Sequence, residues 1–253
     1  QRPVAEHPAA DPERAATGQR EPRHAIVDCA ADHLEPDEGP GGVEERDEGV
    51  QFAGVKLRPI FPTITQKLDF PDDHPMLDHF KFVAANTKVV PKISIPGPSC
   101  LHFRTALEDI HVADYKDSDA LFADIAATYK KAVNKFYEAG CRYLQMDDIF
   151  FAYLCDPKHR EEKKANGQDP DALIQKYSWM MREAIKDRPA DMTIGMHMCR
   201  GNFRSTHAAE GAYDLAAEAI FDTGVDIFFM EYDTDRAGGL EPLFSSRYTR
   251  TRL

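Results

Sequence analysis

The chain has 253 residues, 42% of them hydrophobic and 10% aromatic, enough for a sizeable core in one large domain or two small ones. Its 31 basic and 43 acidic residues leave a formal net charge of -12, which argues against nucleic acid and an anionic membrane surface as main partners and leaves small molecules. No window approaches the roughly 18 uninterrupted apolar residues of a spanning helix, and the N-terminus is polar where a signal peptide is apolar, so the chain reads as cytoplasmic.

Residues 1–50 contain no Phe, Tyr or Trp and are dense in Pro, Gly, Glu, Asp and Arg; they cannot bury enough apolar surface to offset ordering entropy, and are expected to be disordered or non-native. From 51 to 243 the sequence reads as one ordered domain, and 244–253 as an irregular basic tail. Val89 to Ile95 is a β-branched run closed by Pro96-Gly97-Pro98, a strand followed by a turn. Ser118 can cap a helix whose stripe of Leu121, Phe122, Ile125, Tyr129, Val133 and Phe136 keeps helical spacing and stops at Gly140. Arg142 to Met146 is the next strand. Asp169-Pro170 opens a second helix through Leu173, Ile174, Tyr177, Met180, Met181 and Ile185. The run MTIGMHM forms a third strand, Tyr213 to Phe221 a shorter helix, and Asp226 to Tyr232 a fourth strand.

Strict alternation of near-continuous apolar strands with helices implies an α/β fold with a parallel sheet, either an open doubly wound sheet or a (β/α)8 barrel. No GxGxxG or GxxxxGK follows any strand, which favours the barrel. A complete barrel takes about 250 residues, and the ordered part is shorter, so part of one is expected to be missing.

Polar residues gather where the strands end, the face on which such folds build their sites. Asp147-Asp148 ends one strand, His197 and Cys199 the next, and Glu231-Tyr232-Asp233 the last. Period-2 alternation puts His197 and Cys199 on one face. A lone His in an apolar run is ordinarily a satisfied core residue and a lone Cys a small hydrophobe; the combination with Glu231 is what makes His197, Cys199 and Glu231 candidate zinc ligands. Three ligands and an open position is the pattern of a catalytic metal, whereas Asp147-Asp148 has the plainer reading of a cap for the following segment.

Other features carry less. The five cysteines (Cys29, Cys100, Cys141, Cys155, Cys199) are odd in number and scattered, so they do not form a disulfide framework. Cys155 and His159 lie four apart, but Pro157 interrupts any helix that would align them, so the segment reads as loop. Arg200 and Arg204 suit a substrate carboxylate or phosphate, against the simpler reading that they are solvated or paired with acids such as Glu210. HREEKK reads as a solvated surface, and no GxSxG occurs.

YLQMDD, MHMCRGNFRS and MEYDTDRAG together resemble the C-terminal catalytic domain of cobalamin-independent methionine synthase, and more closely its stand-alone bacterial and archaeal relatives, over roughly residues 52–241. That family belongs to a zinc-dependent methyltransferase superfamily built on a (β/α)8 barrel, which also contains uroporphyrinogen decarboxylase. The resemblance implies that His197, Cys199 and Glu231 bind zinc and that Asp147 holds the amino group of homocysteine, with Asp148 beside it a weaker candidate. It implies a thiol activated as zinc-bound thiolate and methylated by a methyltetrahydrofolate. A related alkyltransferase acting on another thiol, such as coenzyme M, or a truncated, non-catalytic fragment, stands beside this reading.

The departures are as specific. The family completes its zinc site with a second, later Cys, and no Cys follows Cys199. At both ends family-like sequence gives way abruptly to polar, pattern-free sequence, so both ends are expected to be out of frame or otherwise foreign, leaving a barrel incomplete at both ends.

Overall fold

The computed structural model describes residues 60–105, 110, 112–113, 115, 117–202 and 206–245, with short β segments at Val43–Glu45 (β1), Gln51–Phe52 (β2) and Val55–Lys56 (β3). β1 pairs antiparallel with Ile60–Pro62 (β4), and β2 with β3. The rest of the segment 1–50, expected to be disordered or non-native, and most of the tail 244–253 lie outside the described residues, as does Cys29.

The main sheet has four strands, Ile93–Pro96 (β5), Tyr143–Asp147 (β6), Thr193–Met198 (β7) and Ile227–Met230 (β8), all parallel and in the order β5-β6-β7-β8. A doubly wound sheet reverses its order at a switch point, whereas consecutive neighbours in sequence order are the arrangement of a barrel sector. Closure into eight strands goes beyond the four described here. Strand β5 begins later than Val89 because Val89 and Val90 are 76% and 70% exposed and pair with no strand among the described residues, so β-branching alone did not make them strand.

The helices follow from caps and stripes. Ser118–Glu138 (α3) is capped by Asp117, one residue earlier than expected, whose carboxylate accepts from Ala120 N at 2.9 Å. Its whole apolar stripe is buried, and it packs along Pro170–Ile185 (α6), where Asp169 caps and Pro170 sits at the first turn. The expected helix from Tyr213 divides into a 3-10 turn, Tyr213–Leu215, and a short helix, Ala217–Phe221 (α7). Four further helices were not anticipated: Pro75–Ala85 (α1), Pro98–Arg104 (α2), Phe150–Tyr153 (α4) and Pro157–Ala165 (α5). In α5 Pro157 does not break a helix but starts one, after the Asp156 cap accepts from Lys158 N at 2.7 Å; the loop expected at Cys155 to His159 is corrected accordingly. Last in the described chain, and likewise not anticipated, is Glu241–Ser245 (α8), which runs two residues into the tail expected to be irregular. No helix among the described residues is long and apolar enough to cross a membrane.

Register sorts the sheet into two unlike faces. Ile95, Met146 and Met196 lie side by side and are buried against the helices, with Leu144, Ile194 and Met198. The next row, Pro96, Asp147, His197 and Phe229, points the other way and is only half-buried, with Phe229 37% exposed. Each fully buried Leu, Ile, Met or Phe of the helix-facing layer contributes about 1.5–3 kcal/mol, and this layer holds the opposite, polar face rigid.

Candidate active site

The sheet's hydrogen bonding runs past the strand ends: Gly97 N donates to Asp147 O at 2.8 Å, Asp148 N to His197 O at 3.0 Å and Glu231 N to Met198 O at 3.1 Å. The residues expected to carry chemistry therefore sit on a fixed rim. Within it His197 Nδ1 lies 3.3 Å from Asp147 Oδ1. The same oxygen accepts from Gln145 Nε2 at 2.7 Å and Ser94 Oγ at 3.2 Å. Burial works to raise the Asp147 pKa, but hydrogen bonds from His197, Gln145 and Ser94 outweigh it and hold the carboxyl below its ordinary value. The Asp147 carboxylate, and after it Cys199, pushes the His197 imidazolium up to about 10.

Cys199 follows on the same face, its Sγ accepting from Gly201 N at 3.3 Å. Glu231 has both oxygens engaged: Oε2 accepts from Arg200 N at 2.9 Å, and Oε1 from Arg236 Nη2. Arg236 also reaches Asp233 at 3.1 Å. His197, Cys199 and Glu231 line one cavity of about 820 Å³, with Asn202, Thr206, Phe229, Met230, Asp233 and Arg236 among its other walls.

The two adjacent aspartates part company. Asp147 is on the open face; Asp148 is 0% exposed on the helix side, where Ser99 Oγ donates to its Oδ1 and Oδ2 has no partner among the described residues. Burial raises the Asp148 carboxyl to about 7, with Ser99 opposing and the Asp147 charge adding to the rise. Neither aspartate is among the cavity-lining residues, although Asp147 touches one of them, His197.

Arg200 is also 0% exposed. It is neither solvated nor paired with Glu210, and it is not offered to a substrate: Nε donates to Gly211 O at 3.0 Å, Nη1 to Glu231 O at 3.1 Å and Nη2 to Ala237 O at 3.2 Å, with the guanidinium 4.2 Å from the Tyr213 ring centre. It ties together three loops of the rim. Arg204 lies outside the described residues. Cys100, Cys141 and Cys155 are core residues, with burial pushing the Cys155 thiol up to about 12, and Cys199 is the one thiol among the described residues lining the cavity.

The donor set of the cavity wall, one imidazole, one thiol and one carboxylate, fits zinc chemically. As the side chains stand, no three His, Cys, Asp or Glu among the described residues are gathered closely enough to hold a metal ion. Glu231 is engaged by Arg200 N and Arg236, and His197 by Asp147.

No family model matches the chain. Two curated relatives, the uncharacterized proteins YxjH and YxjG of Bacillus subtilis (strain 168), are each 44% identical to it, over 212 and 200 residues. Those alignments take in 81% and 78% of this chain but 55% and 52% of the relatives, so the chain spans about half the length of the curated relatives it matches. A crystal structure from Listeria monocytogenes, of a protein provisionally assigned as a vitamin-B12 independent methionine synthase, is 37% identical, with a TM-score of 0.55 over 72% of this chain and 51% of that one. The chain shares the fold of that structure over the matched part.

Sequence reasoning passed over Arg236, although it stands in the quoted stretch MEYDTDRAG; a base five residues after the candidate Glu ligand, across a turn, was the available signal. The roles of Ser94, Gln145 and Ser99 had no local signal, since each depends on which strand or helix lies beside it.

Proposed function

We propose that this chain is the catalytic part of a zinc-dependent S-methyltransferase of the cobalamin-independent methionine synthase type, and that its sheet is a sector of a (β/α)8 barrel. The substrates in this reading are homocysteine and a methyltetrahydrofolate. The observation that carries it is the arrival of His197, Cys199 and Glu231 on one cavity wall from the C-terminal ends of two adjacent parallel strands. The 37% identity and shared fold with a protein provisionally assigned as a vitamin-B12 independent methionine synthase supports it.

Zinc held by His197, Cys199 and Glu231 would supply a cation that favours the ionised form of a substrate thiol and keeps its sulfur nucleophilic at neutral pH. Asp147, kept anionic by the donors collected on its Oδ1, is suited to pair with the amino group of homocysteine. Phe229 and Met230 give the cavity apolar walls that limit water beside the reacting atoms. In the transfer the sulfur gives up its proton, the new S–C bond forms as the C–N bond to the folate breaks, and the folate nitrogen takes up a proton.

Metal analysis of the purified chain tests the reading. The parent is expected to carry one equivalent of zinc, lost in both His197→Ala and Cys199→Ala; a parent without zinc overturns the site. Methyl transfer from methyltetrahydrofolate is then expected with homocysteine, and turnover confined to coenzyme M would reassign the thiol.

A further inference from the structure

Glu231 is the one candidate ligand whose carboxylate is held by a fixed positive charge. Oε1 is bound by Arg236 Nη2, while Oε2 is bound by a backbone amide, that of Arg200. The amide belongs to the rim and does not move; the guanidinium is on a side chain and can. Its backbone, by contrast, is anchored: Gly211 N donates to Arg236 O at 2.9 Å, and Arg200 Nη2 donates to the next carbonyl, Ala237 O, at 3.2 Å. Any exchange at Glu231 is thereby confined to the Arg236 side chain.

The grip itself is partial. A guanidinium can offer a carboxylate two parallel N–H donors, and the bidentate pair is the strong one. Here Nη2 makes the contacts both to Glu231 and to Asp233, while Nε is buried without a partner among the described residues. Asp233 also gives the guanidinium somewhere to stay: on losing Glu231 it keeps one carboxylate partner at 3.1 Å. Both acids and Arg236 line the same cavity as His197 and Cys199, so a divalent cation at those donors and the guanidinium would carry like charges at close range and contend for one carboxylate.

We propose that Arg236 is a latch on Glu231, competing with a divalent cation for the carboxylate, so that filling the site requires Arg236 to fall back onto Asp233. The proposal rests on the zinc reading of the cavity and makes a prediction opposite in sign to the usual one. Residues behind a metal ligand ordinarily orient it, and their loss weakens metal binding about 10–100-fold. A latch, once removed, strengthens it.

The experiment is a zinc titration of the full chain against a chromophoric chelator, with the parent, Arg236→Gln and Arg236→Met. Both neutral variants are expected to bind zinc about ten-fold or more tightly than the parent, and Arg236→Lys, which keeps the charge, to stay near the parent. In the Glu231→Gln background the gain on removing Arg236 is expected to vanish. Unchanged or weaker binding in the two neutral variants overturns the latch, and so does loss of fold in both, which would make Arg236 a structural strut. Failure of the zinc reading is distinguishable: His197→Ala and Cys199→Ala would then leave the titration at the parent value, whereas failure of the latch alone leaves those losses intact with no gain at Arg236.

Discussion

At the residue scale, adjacent side chains of like chemistry have been given opposite environments. Asp147 is ionised and hydrogen-bonded on the open face; Asp148, one position on, is buried and holds its proton up to about 7. A carboxyl whose folded pKa lies above its unfolded value, here 3.8, binds its proton more tightly in the native state. Its contribution is present in full at low pH and lost as pH rises through the folded value. Denaturant unfolding should therefore show a stability decline between about pH 4 and pH 7, with a slope of at most about 1.4 kcal/mol per pH unit from this group. Asp148→Asn should remove that component and be the more stable protein at about pH 8. Arg200 makes a second prediction. Its truncation to Ala leaves the carbonyls of Gly211, Glu231 and Ala237 without their buried donor, so a loss of about 2–4 kcal/mol in chemical denaturation is expected. Arg200→Lys should recover little of it, because one ammonium cannot span the three acceptors.

Among the elements, short turns rather than long helices set the site. The 3-10 turn Asp235–Ala237 presents Arg236 to Glu231 and closes at Gly238, whose φ is +74°. A Cβ built there would stand 2.3 Å from Ala212 Cβ, so the turn is pinned to the segment leading into Tyr213. Gly167 has a similar φ of +73° with nothing within 4 Å of such a Cβ. Gly167→Ala should thus lower stability by about 1–2 kcal/mol, the left-handed strain alone, while Gly238→Ala should add a steric term and lower it by clearly more. Comparing the two melting temperatures checks this, and equal losses would show that the Gly238 contact relaxes freely. The long pair α3 and α6 does a different job: it buries the helix-facing layer of the sheet and so keeps the strand ends in register.

For the whole molecule the decisive feature is the asymmetry of the sheet. One face is sealed by helices, while the other carries Asp147, His197 and the 37%-exposed Phe229, and among the described residues no strand pairs beyond β5 or β8. Parallel edges with open backbone groups and a half-exposed face favour association with further chain. Sedimentation velocity across a concentration series should show the purified chain self-associating; a monomer that melts sharply and cooperatively at all concentrations would contradict this. The prediction concerns the sheet and stands apart from the metal chemistry.

The strands, the two long helices and the position of the candidate site at the strand ends were legible in the sequence, because periodicity and capping are local: a stripe such as Leu121, Phe122, Ile125 and Tyr129 states its own buried face. Alternation along β6 even contained the split between Asp147 and Asp148, since Leu144 and Met146 mark the helix side four and two residues before Asp148. The helices α1, α2, α4, α5 and α8 were not read, although His74-Pro75 and Asp156-Pro157 are start signals: α5 buries no residue and α1 only Leu77 and Phe80, while α4 is buried all round and too short to show a helical period. What only the tertiary structure decided is which group each polar residue meets. Arg200 became a buried tie between three loops, Asp147 a collector of donors from two neighbouring strands, and Arg236 the partner of Glu231. Those pairings depend on strand neighbours and turn closures far apart in the chain, and a charge or hydroxyl looks the same in sequence whatever it will face.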